Sequence, residues 1–220
     1  MKKTLITLMA LAGVATADSV LFDFDEKDLT ETGLTSVTLS DLDSGINAII
    51  STTGNTTGTL VGGDWSNAST TDNTAIPAVG SAEYDYIAGS DRNVPLTLTF
   101  NGLTAGSVYN VTIATGVPFE QGGAWNTLGL ATGFSYASAT RTTSGGTENM
   151  PTSQNVSVKE VATFTFTGIT ANERGEIIFN IATNNAHTSS FNYAVIIPEP
   201  ATATLSLLAL AGLAARRRRK

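Results

Sequence analysis

The 220-residue sequence predicts an all-β fold, an antiparallel two-sheet sandwich of the jelly-roll type. Between residues 18 and 197, short runs rich in Thr, Val, Ile and Phe place an apolar residue at every second position, as half-buried strands do. Clusters of Gly, Asn, Asp and Ser separate these runs and are typical of turns. No window of this body has convincing helical periodicity, so helices are predicted only at the two ends.

Composition excludes several classes of protein. The chain has 12 basic and 19 acidic residues, a net charge of −7, one histidine and no cysteine. A net negative charge excludes ordinary binding to nucleic acid phosphates. The absence of cysteine excludes disulfides, thiolate metal sites and cysteine nucleophiles. Most basic residues stand at the chain ends, so the body between them is more acidic than the total: Lys2, Lys3, Arg216, Arg217, Arg218, Arg219 and Lys220.

Residues 1–17 have the layout of a secretory signal peptide with a short signal helix. Two lysines precede an apolar run from Leu5 to Val14. Ala15 and Ala17 supply the small side chains that signal peptidase requires just before a cleavage at Asp18. The sequence therefore predicts export through the secretory translocon, with the body starting at residue 18.

The strands of the body follow from alternation. About ten or eleven segments alternate in this way, at a spacing that two packed sheets accommodate. The clear cases are Val20–Phe24, Val94–Phe100, Val108–Thr115, Val156–Phe166, Ile177–Ile181 and Phe191–Ile197, and the weaker ones are Leu34–Leu39, Ile46–Ser51, Thr59–Val61, Tyr84–Ala88 and Leu128–Tyr136.

One pair of segments is similar in sequence. TLTFNGLTAG at Thr97–Gly106 aligns without gaps to TFTFTGITAN at Thr163–Asn172, and a strand ending in Ile-Ala-Thr follows each. The glycine in each predicts a turn that leads back as a hairpin. The unit formed by Gly102-Leu103 and Tyr109-Asn110-Val111 resembles strand pairs of jelly-roll, galactose-binding-like domains. That resemblance implies carbohydrate binding.

Two tryptophans are the candidate carbohydrate-binding residues. Trp65 and Trp125 both stand among Gly and Asn residues, which predicts loops at the end of the sandwich. An exposed aromatic ring there would serve as a platform for a sugar ring. The alternative is that each tryptophan closes the core.

Other polar residues give weaker indications. Asp41 and Asp43, in Asp-Leu-Asp-Ser-Gly, resemble the opening of a calcium loop and are candidate ligands of a structural Ca²⁺; the alternative is a solvated acidic turn. No other cofactor is predicted. His187, the only histidine, lies in a polar run typical of a surface loop, and no catalytic residue is identified. Carboxylates are numerous enough for glycoside hydrolysis, but nothing in the sequence fixes a pair of them.

The C-terminal tail, residues 198–220, has three parts. Pro198-Glu199-Pro200 is followed by an uncharged, mostly apolar stretch from Ala201 to Ala215 and then by the basic cluster. As a helix that stretch would be roughly 22 Å long, short of the roughly 30 Å hydrocarbon core, which favours a transient inner-membrane anchor. The basic cluster would stay cytoplasmic. The two prolines predict an extended segment without sheet pairing, open to a protease.

This tail resembles the PEP-CTERM sorting signal of exported bacterial proteins. The resemblance implies recognition by an exosortase-type transpeptidase, followed by sorting to the cell surface or the extracellular space, and a link to exopolysaccharide and biofilm. Pro198, Glu199 and Pro200 would be the recognition triplet. Arg216, Arg217, Arg218 and Arg219 would form the stop-transfer cluster.

The sequence thus predicts a non-catalytic, exported surface or matrix protein associated with exopolysaccharide. The alternative is a carbohydrate-binding module with a loop tryptophan as its sugar platform, and the third hypothesis is a secreted glycoside hydrolase. The predicted segments are a signal peptide at 1–17, a sandwich body at 18–197 and a sorting tail at 198–220.

Overall fold

A computed structural model describes residues 18–53, 58–64, 85–90, 94–115, 125–143, 146–150, 154–157, 162–183 and 190–199. Ala15, Ala17 and the tail from Pro200 onward, including Arg216–Arg219, lie outside these residues. One compact unit, Ser19–Glu199, contains every strand described here. None of the described segments is a helix with the length and apolarity of a membrane span.

The described residues confirm an all-β fold, with one short 3-10 turn at Glu26–Asp28 as their helical element. The strands are β1 (Val20–Asp23), β2 (Ser36–Ser40), β3 (Asn47–Thr52), β4 (Leu60–Asp64), β5 (Asp85–Gly89), β6 (Leu96–Asn101), β7 (Val108–Thr115), β8 (Trp125–Leu130), β9 (Ser138–Thr143), β10 (Gly146–Asn149), β11 (Gln154–Ser157), β12 (Ala162–Thr170), β13 (Ile177–Thr183), β14 (Ser190–Phe191) and β15 (Tyr193–Pro198).

These strands form three antiparallel sheets. Sheet 1 has the order β1-β15-β7-β12-β9-β10, and sheet 2 has the order β11-β8-β13-β6-β3-β2. A smaller sheet 3 has the order β14-β5-β4. Each described pairing is antiparallel, as predicted.

Aromatic rings join sheet 1 to sheet 2. Phe166 of β12 lies 5.0 Å, between ring centroids, from Phe179 of β13. Phe179 in turn meets Phe100 of β6 edge-on at 6.4 Å, and Phe22 of β1 lies 5.9 Å from Phe100. Three of these rings are fully buried and Phe22 is nearly so. Since the inner faces of both sheets supply the same core, the two sheets pack as a sandwich.

The two similar segments are not hairpins, and that prediction is wrong. β6 lies in sheet 2 and β7 in sheet 1, while β12 lies in sheet 1 and β13 in sheet 2, so both connections are arches that cross between sheets. Gly102 and Gly168 have φ values of 78° and 70°. The aliphatic residue after each, Leu103 or Ile169, is buried in the core. Gly102 directly follows β6, so the chain leaves sheet 2 there. Gly168 instead lies within β12, where the register shifts, and the chain leaves sheet 1 only after Thr170, which is in register with Val108 of β7.

The two arches contact each other at one end of the sandwich. The Gly106 amide donates to the Ala171 carbonyl at 3.0 Å, and the Ala171 amide donates to the Ser107 carbonyl at 2.9 Å. The Leu103 amide donates to the Gly175 carbonyl at 3.1 Å. The internal similarity therefore marks one end wall of the fold, which we call the arch end.

The boundaries of two predicted strands also differ from those in the structure. The run Val156–Phe166 divides into β11 and β12, which belong to different sheets. The run Leu128–Tyr136 ends as a strand at Leu130, and Phe134 and Tyr136 lie in the following loop, where they pack against the core. Burial of an aromatic loop residue looks the same in sequence as burial on a strand, which explains the second difference.

The prediction that the Pro-Glu-Pro segment makes no sheet pairing is wrong for its first residue. Pro198 ends β15 in register with Tyr109 of β7. The Glu199 amide donates to the Val108 carbonyl at 2.8 Å. Ladder bonds alternate between the two sides of a strand, so the nitrogen of Pro198 faces β1. β1 begins only at Val20, opposite Ile196, and the missing N–H of Pro198 therefore removes no ladder bond.

Candidate functional site

A groove of about 580 Å³ lies between the segment around the 3-10 turn and β4. This volume is within the range of about 300–1,000 Å³ typical of small-ligand sites. The groove is lined by Lys27, Leu29, Thr30, Glu31, Thr32, Gly33, Thr59, Leu60, Val61 and Gly62.

Two aspartates close the 3-10 turn from which the chain enters the groove wall. The Asp25 carboxylate accepts from the Lys27 amide at 3.0 Å and forms an ion pair with Lys27 Nζ at 3.0 Å. The Asp25 amide donates to Asp28 Oδ2 at 3.0 Å, and the Asp28 amide donates to the Asp25 carbonyl at 3.0 Å. These bonds close the turn on itself and fix where the following residues enter the groove wall.

β4 forms the opposite wall and the floor. The Leu60 amide donates to the Leu34 carbonyl at 2.6 Å, which ties β4 to the chain after the 3-10 turn. The Thr59 amide donates to Ser90 Oγ at 2.9 Å, and the Ser90 amide donates back to the Thr59 carbonyl at 2.7 Å. Leu60 is 3% exposed, whereas Val61 is 40% exposed. These bonds fix the start of β4, and pairing with β5 holds the rest of the strand from Leu60 to Asp64.

The groove combines hydroxyl groups with an apolar floor. Thr30, Thr32 and Thr59 bring hydroxyls that donate and accept hydrogen bonds. Glu31 and Lys27 add one acceptor and one donor of opposite charge, so the site carries no large net charge. This combination suits a ligand with many hydroxyls and an apolar face.

A second groove, of about 380 Å³, is acidic. Asp23, Asp28 and Asp41, which are spread along the sequence, all line it, together with Leu21, Phe22, Thr38, Leu39 and Ser40. Within the described part of the chain, no three Asp, Glu, His or Cys side chains are arranged to hold a metal ion.

Asp41 and Asp43 lie in the connection between β2 and β3. The Asp41 carboxylate accepts from the Ser44 amide at 2.9 Å. The Asp41 amide donates to the Ile46 carbonyl and the Gly45 amide to the Asp41 carbonyl, both at 2.9 Å. Asp43 is exposed. The structure thus shows a tight turn closed by Asp41, and calcium binding at this turn stays a prediction.

The two aspartates Asp28 and Asp41 have pKa values shifted in opposite directions from 3.8. Burial raises the pKa of Asp28, despite the hydrogen bond from the Asp25 backbone. Hydrogen bonds from Ser44 lower the pKa of Asp41. Linkage therefore gives opposite pH dependences. The stability that Asp28 contributes to the folded state is fully present below pH 3.8 and is lost as pH rises through its folded pKa. The stability that Asp41 contributes is present above pH 3.8 and is lost as pH falls through its folded pKa.

These directions predict the behaviour of two matched variants. Asp28→Asn should gain stability relative to the parent as pH rises from about 3 to 7, and Asp41→Asn should lose stability over the same range. Urea unfolding at several pH values, together with NMR titration of the two carboxyl groups, measures both. Trends of the same sign in the two variants would contradict the assignment.

The described lining of the groove differs from the set of residues singled out from the sequence. Trp125 is the first residue of β8, in register with Ser157 of β11, so its predicted loop placement is wrong. Trp65 and His187 lie outside the described residues. Sugar binding by either tryptophan stays a prediction. The groove residues were missed because the only sequence signal, the Thr-Glu-Thr-Gly run ending at Gly33, is that of an ordinary turn.

No protein-family model and no curated protein matches this sequence. Among solved structures, TmCBM61 in complex with β-1,4-galactotriose matches at 14% identity and a TM-score of 0.36, over 81% of this chain and 99% of that one. The CBM22-1–GH10 modules of Clostridium thermocellum endo-1,4-β-D-xylanase 10B, complexed with xylohexaose, match at 14% identity and a TM-score of 0.33, over 57% of this chain and 24% of that one.

The enzymatically active domain of tailspike protein 4 from bacteriophage CBA120 matches at 12% identity and a TM-score of 0.35, over 69% of this chain and 19% of that one. This chain therefore spans about a fifth of the tailspike chain and a quarter of the xylanase chain. Similarity at these TM-scores defines neither the strand order nor the ligand of this chain.

Proposed function

We propose that this chain is an exported, non-catalytic protein of the cell surface or extracellular matrix, and that its sandwich binds polysaccharide. The observation that carries the proposal is the groove between the 3-10 turn segment and β4, whose lining includes three threonines and the aliphatic residues Leu29, Leu60 and Val61. The proposal combines sugar binding, the alternative hypothesis from the sequence, with the predicted location at the cell surface or in the matrix. It assigns sugar binding to the groove instead of the tryptophans.

The chemistry of the groove matches that of a sugar chain. A pyranose ring presents hydroxyls at its rim and C–H groups on its faces. Thr30, Thr32 and Thr59 can exchange hydrogen bonds with the rim, and the exposed side chain of Val61 can contact a C–H face. A neutral or weakly acidic exopolysaccharide is the expected ligand class.

Export and sorting are supported by the placement of the body between its two ends. β1 begins at Val20 and β15 ends at Pro198, each within a few residues of the predicted processing segments. Val20 and Ile196 are in register, so both ends leave the sandwich side by side at the arch end.

Binding is tested by affinity electrophoresis of the exported protein in gels containing neutral or acidic polysaccharides. Thr59→Val removes one groove hydroxyl at nearly constant volume, and Val61→Asp places a carboxylate on the floor. Each should weaken binding about fivefold to thirtyfold, since a lost hydrogen bond or an unpaired charge costs about 1–2 kcal/mol. Thr147→Val, on the exposed edge strand β10 of sheet 1, is the matched control and should bind normally.

The other outcomes identify the competing functions. Binding that survives both groove variants but disappears in Trp65→Ala or Trp125→Ala would favour a module with a tryptophan platform. Turnover of a polysaccharide that one carboxylate substitution abolishes would favour the glycoside hydrolase. No binding to any polysaccharide would contradict the proposal.

A further inference from the structure

The C-terminal end of β15 is held by the sheet up to Glu199. Pro198 is in register with Tyr109, and the Glu199 amide donates to the Val108 carbonyl at 2.8 Å. β15 lies between β1 and β7, so over most of its length it has a neighbour on both sides. Ile196, two residues before Pro198, is fully buried.

A strand in this position is a poor substrate for a peptidase. Peptidases commonly bind their substrates as extended segments whose backbone groups hydrogen-bond to the enzyme, in the manner of an added strand. Between Tyr193 and Glu199, alternate residues direct their backbone groups at β7, with which this segment is in register, and the last of these bonds is that of the Glu199 amide. Cutting within this segment would first require part of sheet 1 to open.

We infer that Pro198 and Glu199 belong to the folded body, and that the cut separating the body from its tail falls C-terminal to Glu199. This inference rests on the export and sorting proposed above. It moves the body boundary from residue 197 to residue 199 and divides the Pro-Glu-Pro triplet, since its first two residues are fixed by sheet 1.

The bonds available for that cut are Glu199–Pro200 or a later one. In the cut, the bond from the carbonyl carbon to the following nitrogen breaks. The carbonyl carbon bonds instead to the oxygen of water, or to the nitrogen of an acceptor amine if the enzyme is a transpeptidase. The departing nitrogen takes the proton. The product keeps Glu199 and thereby the bond to Val108.

Hydrogen exchange on the full chain in detergent tests the assignment to the body. The amide of residue 199 should exchange slowly in the parent and equally slowly in Glu199→Ala, which keeps the N–H and loses the carboxylate. Glu199→Pro removes the donor, and the neighbouring Ile197 amide should then exchange at least about fivefold faster, as loss of one net hydrogen bond implies. Exchange of the residue 199 amide at the rate of an unfolded chain would overturn the inference.

The intact mass of the protein recovered from its own host tests the position of the cut. A product that ends at Glu199 or within a few residues after it supports the inference. A product that ends at Pro198 or earlier overturns it. A product that keeps residues 201–220 would contradict the proposed sorting, and the exchange rate at residue 199 would then decide independently whether the body includes that residue.

Discussion

Phe166→Ala should lower the free energy of unfolding by about 3–5 kcal/mol, the largest effect we expect from one side chain of the core. Phe166 is fully buried and joins the two layers, because its ring lies 5.0 Å from Phe179 of sheet 2 and 5.4 Å from Tyr136 in the loop after β8. Alanine would leave a cavity that two twisted sheets cannot fill without shifting their register.

Thr165→Ala is the matched control for this prediction. It removes a side chain from the adjacent position of the same strand, on the outer face, where Thr165 Oγ1 lies 3.1 Å from Thr112 Oγ1. Its expected cost is about 1 kcal/mol. Urea denaturation followed by tryptophan fluorescence measures both variants, and losses of similar size would show that Phe166 does not hold the layers together. Since domains are stable by only about 5–15 kcal/mol, Phe166→Ala should leave a marginal fold.

Gly175→Ala should have the second largest effect, because it drives apart the two arches. Gly175 has a φ of 69°, and a Cβ there would overlap the Leu103 carbonyl. Leu103 is itself bonded to Gly175 through its amide, so neither partner can move away freely. We expect about 1–2 kcal/mol from the left-handed backbone and about 1–3 kcal/mol more from the overlap.

Gly106→Ala separates these two contributions. Gly106 has a φ of 74°, and no atom lies within 4 Å of the position that its Cβ would occupy. Gly106→Ala should therefore lower the free energy of unfolding only by the cost of the left-handed backbone. Thermal unfolding of both variants, compared with the parent, measures the difference. Equal losses would mean that the arches tolerate the overlap and do not form a rigid end wall.

The inner faces of the strands were predictable because alternation is a local property. Leu96, Leu98 and Phe100 alternate with polar residues in the sequence, and all three are fully buried in the structure. Sheet membership was not predictable in this way. Hairpins and arches differ in the sheet that the following strand joins, and neither similar segment specifies that β7 pairs in sheet 1 and β13 in sheet 2.

The candidate groove was hidden from the sequence for a similar reason. It exists because Leu60 bonds to Leu34 across a long stretch of chain, and nothing in either segment specifies that partner. The acidic groove is formed in the same way, since Asp23 and Asp41 meet only after β1 and β2 have taken their places in different sheets. Composition indicated what kinds of residue were available, and topology determined which ones came together.

The pairing of β1 with β15 has a consequence for how the chain folds. Among the described strands, β1 is the first and β15 the last, so the contacts between them are among the most non-local in the body. Such contacts slow folding, because the chain loses the entropy of closing a long loop before the contacts that stabilise the closed state have formed. Because these two strands are adjacent, the body is suited to circular permutation. A short linker from Glu199 to Asp18 would make the pairing of β1 with β15 a local contact.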